Sequence, residues 1–295
     1  MSSIKPELDP SLYVLHPDET EFFQQLTGIK DEEELKQHIL NVQAKAYAIY
    51  GYPCIRCFGF MRMKISRLPG YHKALKLLQE RHNPILLDIG CCFGNDSRKA
   101  VVDGWPVDKV LASDLRQGFW DYGHELFKST PATFPAAFIA GDIFEPTMLA
   151  PASTWTEIPT STSVSPDLSS LTSLTPLRNQ ISAIHASSFF HLFDEERQLE
   201  LAKRLTSLLV LEKGSVIFGQ HGSRPEKGFR KRRGAPEEKG MFCHSPETWK
   251  HLWMQEVFGV GQKVQVKVNT ELIEWKSRME NGTVWVMNWF VEMSK

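Results

Sequence analysis

The sequence predicts an α/β chain: a Rossmann-like, seven-stranded, mostly parallel sheet covered by helices and preceded by an N-terminal helical cap. Three observations carry this. From Pro84 onward, short apolar runs alternate with helix-compatible segments. The first run, Leu86-Leu87-Asp88-Ile89, ends at Gly90-Cys91-Cys92-Phe93-Gly94, which suits a pocket for a small polar ligand at the carboxyl edge of a parallel sheet. The last two β-prone runs flank Glu280-Asn281-Gly282, and Asn-Gly between such runs is a strong hairpin signal.

Residues 1–80 read as mostly helical. Glu32 to Ala48 carries Leu35, Ile39, Leu40, Val42 and Ala46 in a near-helical stripe. Pro53, Gly59, Pro69 and Gly70 punctuate the stretch after it, and Gly70 to Glu80 reads as one short helix. This segment is expected to be a cap or lid on a cofactor-binding domain spanning residues 81–295. In that domain the expected strands are Ile85–Ile89, Lys109–Ser113, Ala137–Ala140, Ile181–Ile184 and Ser215–Gly219. Helices are expected over Asp96–Asp103, Gln117–Lys128 and from about Asp194 to Leu211. Val264–Trp275 and Thr283–Glu292 would close the sheet as an antiparallel hairpin, the seven-stranded pattern of class I methyltransferases; a dinucleotide dehydrogenase would more often add a sixth parallel strand. Two segments stand outside this scheme. Residues 151–176, mostly Ser, Thr and Pro, read as a surface insertion. Residues 222–240 form a basic loop holding Arg224, Lys227, Arg230, Lys231, Arg232 and Arg233. There is no internal repeat.

Three strand ends match the three demands of S-adenosylmethionine. Backbone amides of the turn Gly90, Cys91 to Gly94, with the helix start behind it, suit a carboxylate. Asp88 beneath the turn suits the ammonium. Asp114, twenty residues after Gly94, suits the two ribose hydroxyls. Asp142 and Ile143, after the third strand, suit the adenine, with Leu115 on its opposite face and Ala186 at the fourth strand end. Each has a plainer reading: a tight turn, a helix N-cap at Asp114, a turn residue at Asp142. NAD fits less well, because Cys92 stands where the middle glycine of Gly-x-Gly-x-x-Gly would admit a pyrophosphate. No Gly-Lys-Ser/Thr comes after the turn, so a P-loop is excluded.

The fourth strand runs into Ile184-His185-Ala186-Ser187-Ser188-Phe189-Phe190-His191, an apolar, aromatic edge facing the methyl acceptor. It lacks an Asn/Asp-Pro-Pro-aromatic run, an acidic cluster and a paired-glutamate loop, which argues against DNA-base, metal-dependent catechol and arginine methylation. His191, His185 and, after the fifth strand, His221 are candidate general bases toward a hydroxyl. A carboxylate acceptor would need none, being ionised at pH 7. The basic run could hold an anionic acceptor or be a solvated loop. Tyr50, Tyr52, Phe58 and Phe60 could be a lid or ordinary core.

A formal net charge of −1 over 295 residues gives no reason to expect nucleic acid or an anionic membrane. The 42% hydrophobic fraction supports a sizeable core, and no stretch suits a signal peptide or a span. The chain is therefore expected to be soluble and cytoplasmic, with a small apolar molecule as its partner and a homodimer left open. Five cysteines, two of them adjacent, make a poor disulfide framework. Cys54-Ile-Arg-Cys57 has no second pair to complete a metal site, so no metal is expected.

The chain resembles a fungal family of class I methyltransferases of meroterpenoid and related secondary-metabolite pathways, the austinol-type carboxyl methyltransferases. The resemblance rests on Tyr52-Pro53-Cys54-Ile55-Arg56, Leu87-Asp88-Ile89-Gly90-Cys91-Cys92-Phe93-Gly94, Ser113-Asp114-Leu115, Phe119-Trp120-Asp121, Gly141-Asp142-Ile143-Phe144 and Ala186 to Phe193, and covers most of residues 15–295. It implies S-adenosylmethionine as donor and often a terpenoid carboxylic acid as acceptor. It also makes Gly-Cys-Cys-Phe-Gly the family's own version of the turn. The reading is an O-methyltransferase of an apolar, terpenoid-like carboxylate; the alternatives are a phenol or hydroxyl O-methyltransferase with a His base, and a non-catalytic protein keeping the fold.

Overall fold

A computed structural model describes residues 5–151, 166–230, 240–259, 264–276 and 283–294. Four helices come first: α1 (Pro17–Thr27), α2 (Glu32–Ile49), the single turn α3 (Pro53–Arg56) and α4 (Pro69–Glu80). The alternating region comes next as β1 (Leu86–Ile89), α5 (Asn95–Val102), β2 (Val110–Asp114), α6 (Gln117–Leu126), β3 (Ala137–Ala140), β4 (Ala183–His185), α7 (Glu195–Leu208) and β5 (Val216–Ser223). A ribbon of β6 (Gly228–Arg230) and β7 (Met241–Cys243) leads to α8 (Pro246–His251), which continues as a π-helical turn over Leu252–Val257. The last two strands are β8 (Val266–Lys276) and β9 (Thr283–Met293).

Seven strands form one sheet in the order β3-β2-β1-β4-β5-β9-β8. β1 to β5 pair in parallel, and β9 runs antiparallel to both β5 and β8. This is the class I methyltransferase sheet that the alternation and the hairpin predict. Consecutive strands step from β1 through β2 to β3, then the chain returns to the other side of β1 as β4. Outside the carboxyl ends of β1 and β4 this reversal leaves a crevice, which is where ligands bind in open α/β sheets.

Local chemistry explains the boundaries. Asp31 and Asp194 accept the first free amides of α2 and α7, from Glu34 and Arg197. Gly28 ends α1 in the left-handed conformation that glycine adopts without strain. α4 lies directly on the sheet: a Cβ on Gly70 would fall 2.3 Å from that of Phe218. One apolar cluster joins α7, α8 and one sheet face. A second joins α4, Trp105 and Trp120 to the other face. A third packs α1, α2 and the 55–63 segment against Phe93, Phe119, Leu126 and Phe127. Residues 1–80 are thus divided. α1 to α3 sit over the glycine turn and α6, while α4 belongs to the sheet.

Some expectations change. Ile181 does not start β4 but makes an isolated bridge to Leu209. β5 runs on to Ser223, because β9 pairs with it through Ser223↔Trp285. The 151–176 insertion is not all surface: Leu168 and Leu174 are buried, since these two leucines anchor single helical turns to the core. Within the 222–240 loop, Gly228–Arg230 is a strand. Residues 152–165, Lys231, Arg232, Arg233 and the Asn281-Gly282 turn lie outside the described residues.

Candidate functional site

The crevice is floored by β1 and β4, whose register sets Asp88 beside His185. Both are almost fully buried. Asp88 Oδ1 lies 2.9 Å from His185 Nδ1, and Ser97 Oγ donates to Asp88 Oδ2 at 2.7 Å. His185 Nε2 lies 2.7 Å from Ser187 Oγ. Asp88 therefore sits beneath the glycine turn with both oxygens engaged.

The turn itself is bound to β2. Gly90 and Cys91 donate their amides to the carbonyl of Ser113 at 2.8 and 3.1 Å. Cys92 holds φ 52° and donates its amide to Asp114 Oδ2 at 2.9 Å, while Arg116 N donates to Oδ1 at 3.1 Å. The amide at the middle position is thus consumed by the second strand tip rather than left for a pyrophosphate. Each Asp114 oxygen keeps a lone pair for an outside donor. Burial pushes the Asp114 carboxyl above its usual range, despite the two amides that pull it down.

Behind the turn, Arg98 is buried and donates to the carbonyls of Phe93 and Gly94 and to Ser129 Oγ. Its guanidinium lies over Phe127, Phe134 and Trp120. Burial lowers it to about 9, so it stays charged at neutral pH. A Cβ on Gly94 would fall 2.5 Å from Trp120, so that glycine serves packing beneath the turn. Gly90 faces the crevice: a Cβ there would fall 2.7 Å from the ring of Phe189, which lies across it. Phe189, Phe193 and Phe144 make edge contacts at 5.4 and 4.9 Å and form an apolar wall.

At the third strand tip, Gly141 N donates to the Asp114 carbonyl and Asp142 Oδ1 accepts from Phe144 N at 2.9 Å. Asp142 is half-buried and Leu115 is exposed, while the side chains of Ile143 and Ala186 face the core. The structure thus brings Asp88, Gly90, Cys91, Asp114, Leu115 and Asp142 to one edge. Gly94, Ile143 and Ala186 support that edge from within.

Residues 59–67 form a strap over the crevice. Phe60, Arg62 and Lys64 line it with Asp88, Gly90, Cys92, Asp96, His185 and Ser187. Asn95 donates to the Phe60 carbonyl, and Asp96 accepts the Ile65 amide at 2.9 Å. Lys64 Nζ donates to Ser188 Oγ at 3.1 Å. Among the described residues, no group of three or more His, Cys, Asp or Glu is placed to hold a metal ion.

Residues 8–61, which run from the N-terminal helices into this strap, match the family described as the meroterpenoid methyltransferase N-terminal domain. The asnovolin E/chermesin D methyltransferase nvfJ of Aspergillus novofumigatus is 31% identical over 234 residues, covering 79% of this chain and 74% of its own. The chain belongs to the fungal meroterpenoid methyltransferase family. The O-methyltransferase phiE of a fungal species is 31% identical over 80% of this chain and 70% of its own. The methyltransferase ausD of Penicillium brasilianum is 26% identical over 80% and 75%.

In this chain the three candidate bases separate. His185 has both ring nitrogens engaged beneath the crevice. His221 is buried among Trp249, Trp289 and Phe190, takes the Trp289 indole N–H at 2.8 Å, and is held neutral by burial. His191 is half-buried on the turn beyond β4, and its Nδ1 accepts the Gly222 amide at 3.0 Å. The four cap aromatics also divide. Phe58 is core, and Phe60 is buried yet lines the crevice, whereas Tyr50 is exposed and Tyr52 half-buried at the mouth, with Arg116 over the Tyr50 ring at 4.5 Å.

Sequence reasoning missed the strap residues Arg62 and Lys64, the acid Asp96, the support Arg98 and the Asp88–His185 pair. Only Asp96 carried a local signal, as an acid in the first turn of the helix behind the glycines. The strap is held at its other end by Glu19, which is fully buried and pairs with Arg62 and, at 3.1 Å, with Arg67. Arg62→Ala leaves that carboxylate with Arg67 as its remaining cation. We expect a loss of about 1–2 kcal/mol in denaturant unfolding, less than for a fully broken buried pair, together with weaker ligand binding under the strap.

Proposed function

We propose that this enzyme takes a methyl group from S-adenosylmethionine and places it on oxygen of an apolar, terpenoid-like small molecule, a carboxylate in the first instance. The observation that carries the cofactor reading is Asp114. It closes the glycine turn through the Cys92 amide and still presents acceptors at the rim, as two vicinal hydroxyls need. The donor chemistry fits elsewhere too. Asp88 lies under the crevice for an ammonium, Lys64 lines it for a carboxylate, and Asp142 with exposed Leu115 suits an adenine. S-adenosylmethionine supplies, when bound, a methyl group on a positively charged sulfur.

The chain's own residues bind, orient and exclude water. The Phe189–Phe193–Phe144 wall and the strap shield the crevice, and positioning for in-line transfer can contribute on the order of 7–11 kcal/mol. The relatives' names support oxygen as acceptor and a meroterpenoid as substrate. A carboxylate is favoured over a hydroxyl because two candidate bases are committed elsewhere: His185 to Asp88 and Ser187, His221 to the aromatic core. Transfer of tritiated methyl to a panel of terpenoid acids and phenols tests this. Label in base-labile esters is the expected result, and label only in phenolic ethers would overturn it. His191→Ala is expected to leave ester formation within about twofold, since an ionised carboxylate needs no base. A collapse in turnover with unchanged cofactor binding would assign a hydroxyl acceptor and His191 as its base.

A further inference from the structure

We propose that His185 is a positioning residue which locks the Asp88 carboxylate and, through Ser187, sets the hydrogen-bonding polarity of the crevice toward the cofactor's ammonium end. This rests on S-adenosylmethionine being the ligand of the crevice and goes beyond it. The imidazole stands between two side chains, Nδ1 on Asp88 at 2.9 Å and Nε2 on Ser187 at 2.7 Å, and packs on Phe218 at 5.4 Å. Asp88, His185 and Ser187 are all buried, yet all three line the crevice. Neither ring nitrogen is open to an acceptor, so a direct base role is excluded by geometry.

The chain of bonds has two states. With a neutral ring, Nδ1–H donates to Asp88 and Ser187 Oγ–H donates to Nε2, which turns the hydroxyl's lone pairs outward. Asp88 then keeps its negative charge uncompensated. With a protonated ring, Nε2–H donates to Ser187 Oγ, the hydroxyl hydrogen turns outward, and the Asp88 charge is neutralised. An ammonium is held by the first state and opposed by the second. Burial lowers the affinity of His185 for its proton, but the Asp88 bond and the charges of Asp88 and Asp96 outweigh it and leave the pKa above the usual 6.5. The groups facing the ring are Asp88 from β1, Asp96 from α5, and Lys64 from the strap, which pulls the pKa down. Arg62 lines the same crevice, and the Cys91 thiol there is kept neutral by burial.

Calorimetry with S-adenosylmethionine from about pH 5.5 to about pH 7.5, spanning histidine titration while the ligand's α-amino group stays largely protonated, tests this in the wild type, His185→Asn and His185→Leu. Wild-type affinity is expected to rise with pH by several-fold. His185→Asn keeps a donor for Asp88 but no titrating proton, so its binding should be flat with pH. His185→Leu should bind about tenfold or more weakly at every pH, as for a lost bond to a charged group. Imidazole titration by NMR in the ligand-free protein should show the His185 pKa falling in Asp88→Asn. A wild-type slope retained in His185→Asn, or an unmoved His185 pKa in Asp88→Asn, overturns the proposal while leaving the cofactor reading intact. A wild type that binds no S-adenosylmethionine at any pH overturns the cofactor reading, and this proposal with it.

Discussion

Gly123→Ala is expected to destabilise the fold by about 2–3 kcal/mol, the scale of overpacking against an atom that cannot move aside. Gly123 lies on α6, where it meets the glycine turn, and a Cβ there would fall 2.2 Å from the carbonyl oxygen of Phe93. That carbonyl also accepts from Arg98 at 2.9 Å. Pushing it away leaves a buried guanidinium short of an acceptor, and Arg98 Nε already has none among the described residues. The damage therefore reaches the turn, and cofactor affinity should fall together with the melting temperature. Gly118→Ala, on the same helix, is the control. Its nearest neighbour is the flexible tip of Ile49, which is exposed. Alanine's better helix propensity, worth up to about 1 kcal/mol, should make that change neutral or stabilising. Equal melting temperatures for the two variants would refute the close approach at Gly123.

Asp114→Ala is expected to weaken S-adenosylmethionine binding by about 1.5–3 kcal/mol, the range for hydrogen bonds to a charged group. Calorimetry would read this as roughly 10- to 150-fold in Kd. The carboxylate serves two ends at once. It ties the amides of Cys92 and Arg116 and faces the rim, so its removal both loosens the turn and deletes the acceptors. The pH dependence comes from the raised carboxyl pKa. Binding should be lost as pH falls through that pKa, at a pH above the usual 3.8 of an aspartate. Unchanged affinity in Asp114→Ala would remove Asp114 from the ribose assignment.

The elements that could be read along the chain are those whose signal is local. β1, β2 and β3 are short apolar runs with an acid at or within two residues of their carboxyl ends, and α2, α4 and α7 have apolar stripes with caps or breakers within a few residues. The hairpin was legible because β-branched and aromatic residues flank an Asn-Gly pair. β6 and β7 were not, because each is only three residues long and forms by pairing with the other. Nor was the core role of Leu168 and Leu174, isolated in a Ser- and Thr-rich stretch. From sequence alone, Cys92 at the middle position of the turn argues only against a dinucleotide pyrophosphate. The fold shows a left-handed residue whose amide is spent on Asp114.

Local composition alone determined the alternation of strands and helices from β1 to β5, the glycine turn and the three acids, because each is set by neighbours a few residues away. Tertiary structure decided which of those residues meet. Asp88 and His185 are 97 positions apart, Lys64 and Ser188 are 124 apart, and Gly123 abuts Phe93 from another element. Those contacts come from parallel strands laid side by side by long crossovers and from helices packed across them, and no short window of sequence encodes that distance. Burial then converts a candidate base into a clamped imidazole, since hydrogen-bond partners and desolvation are properties of the packed molecule.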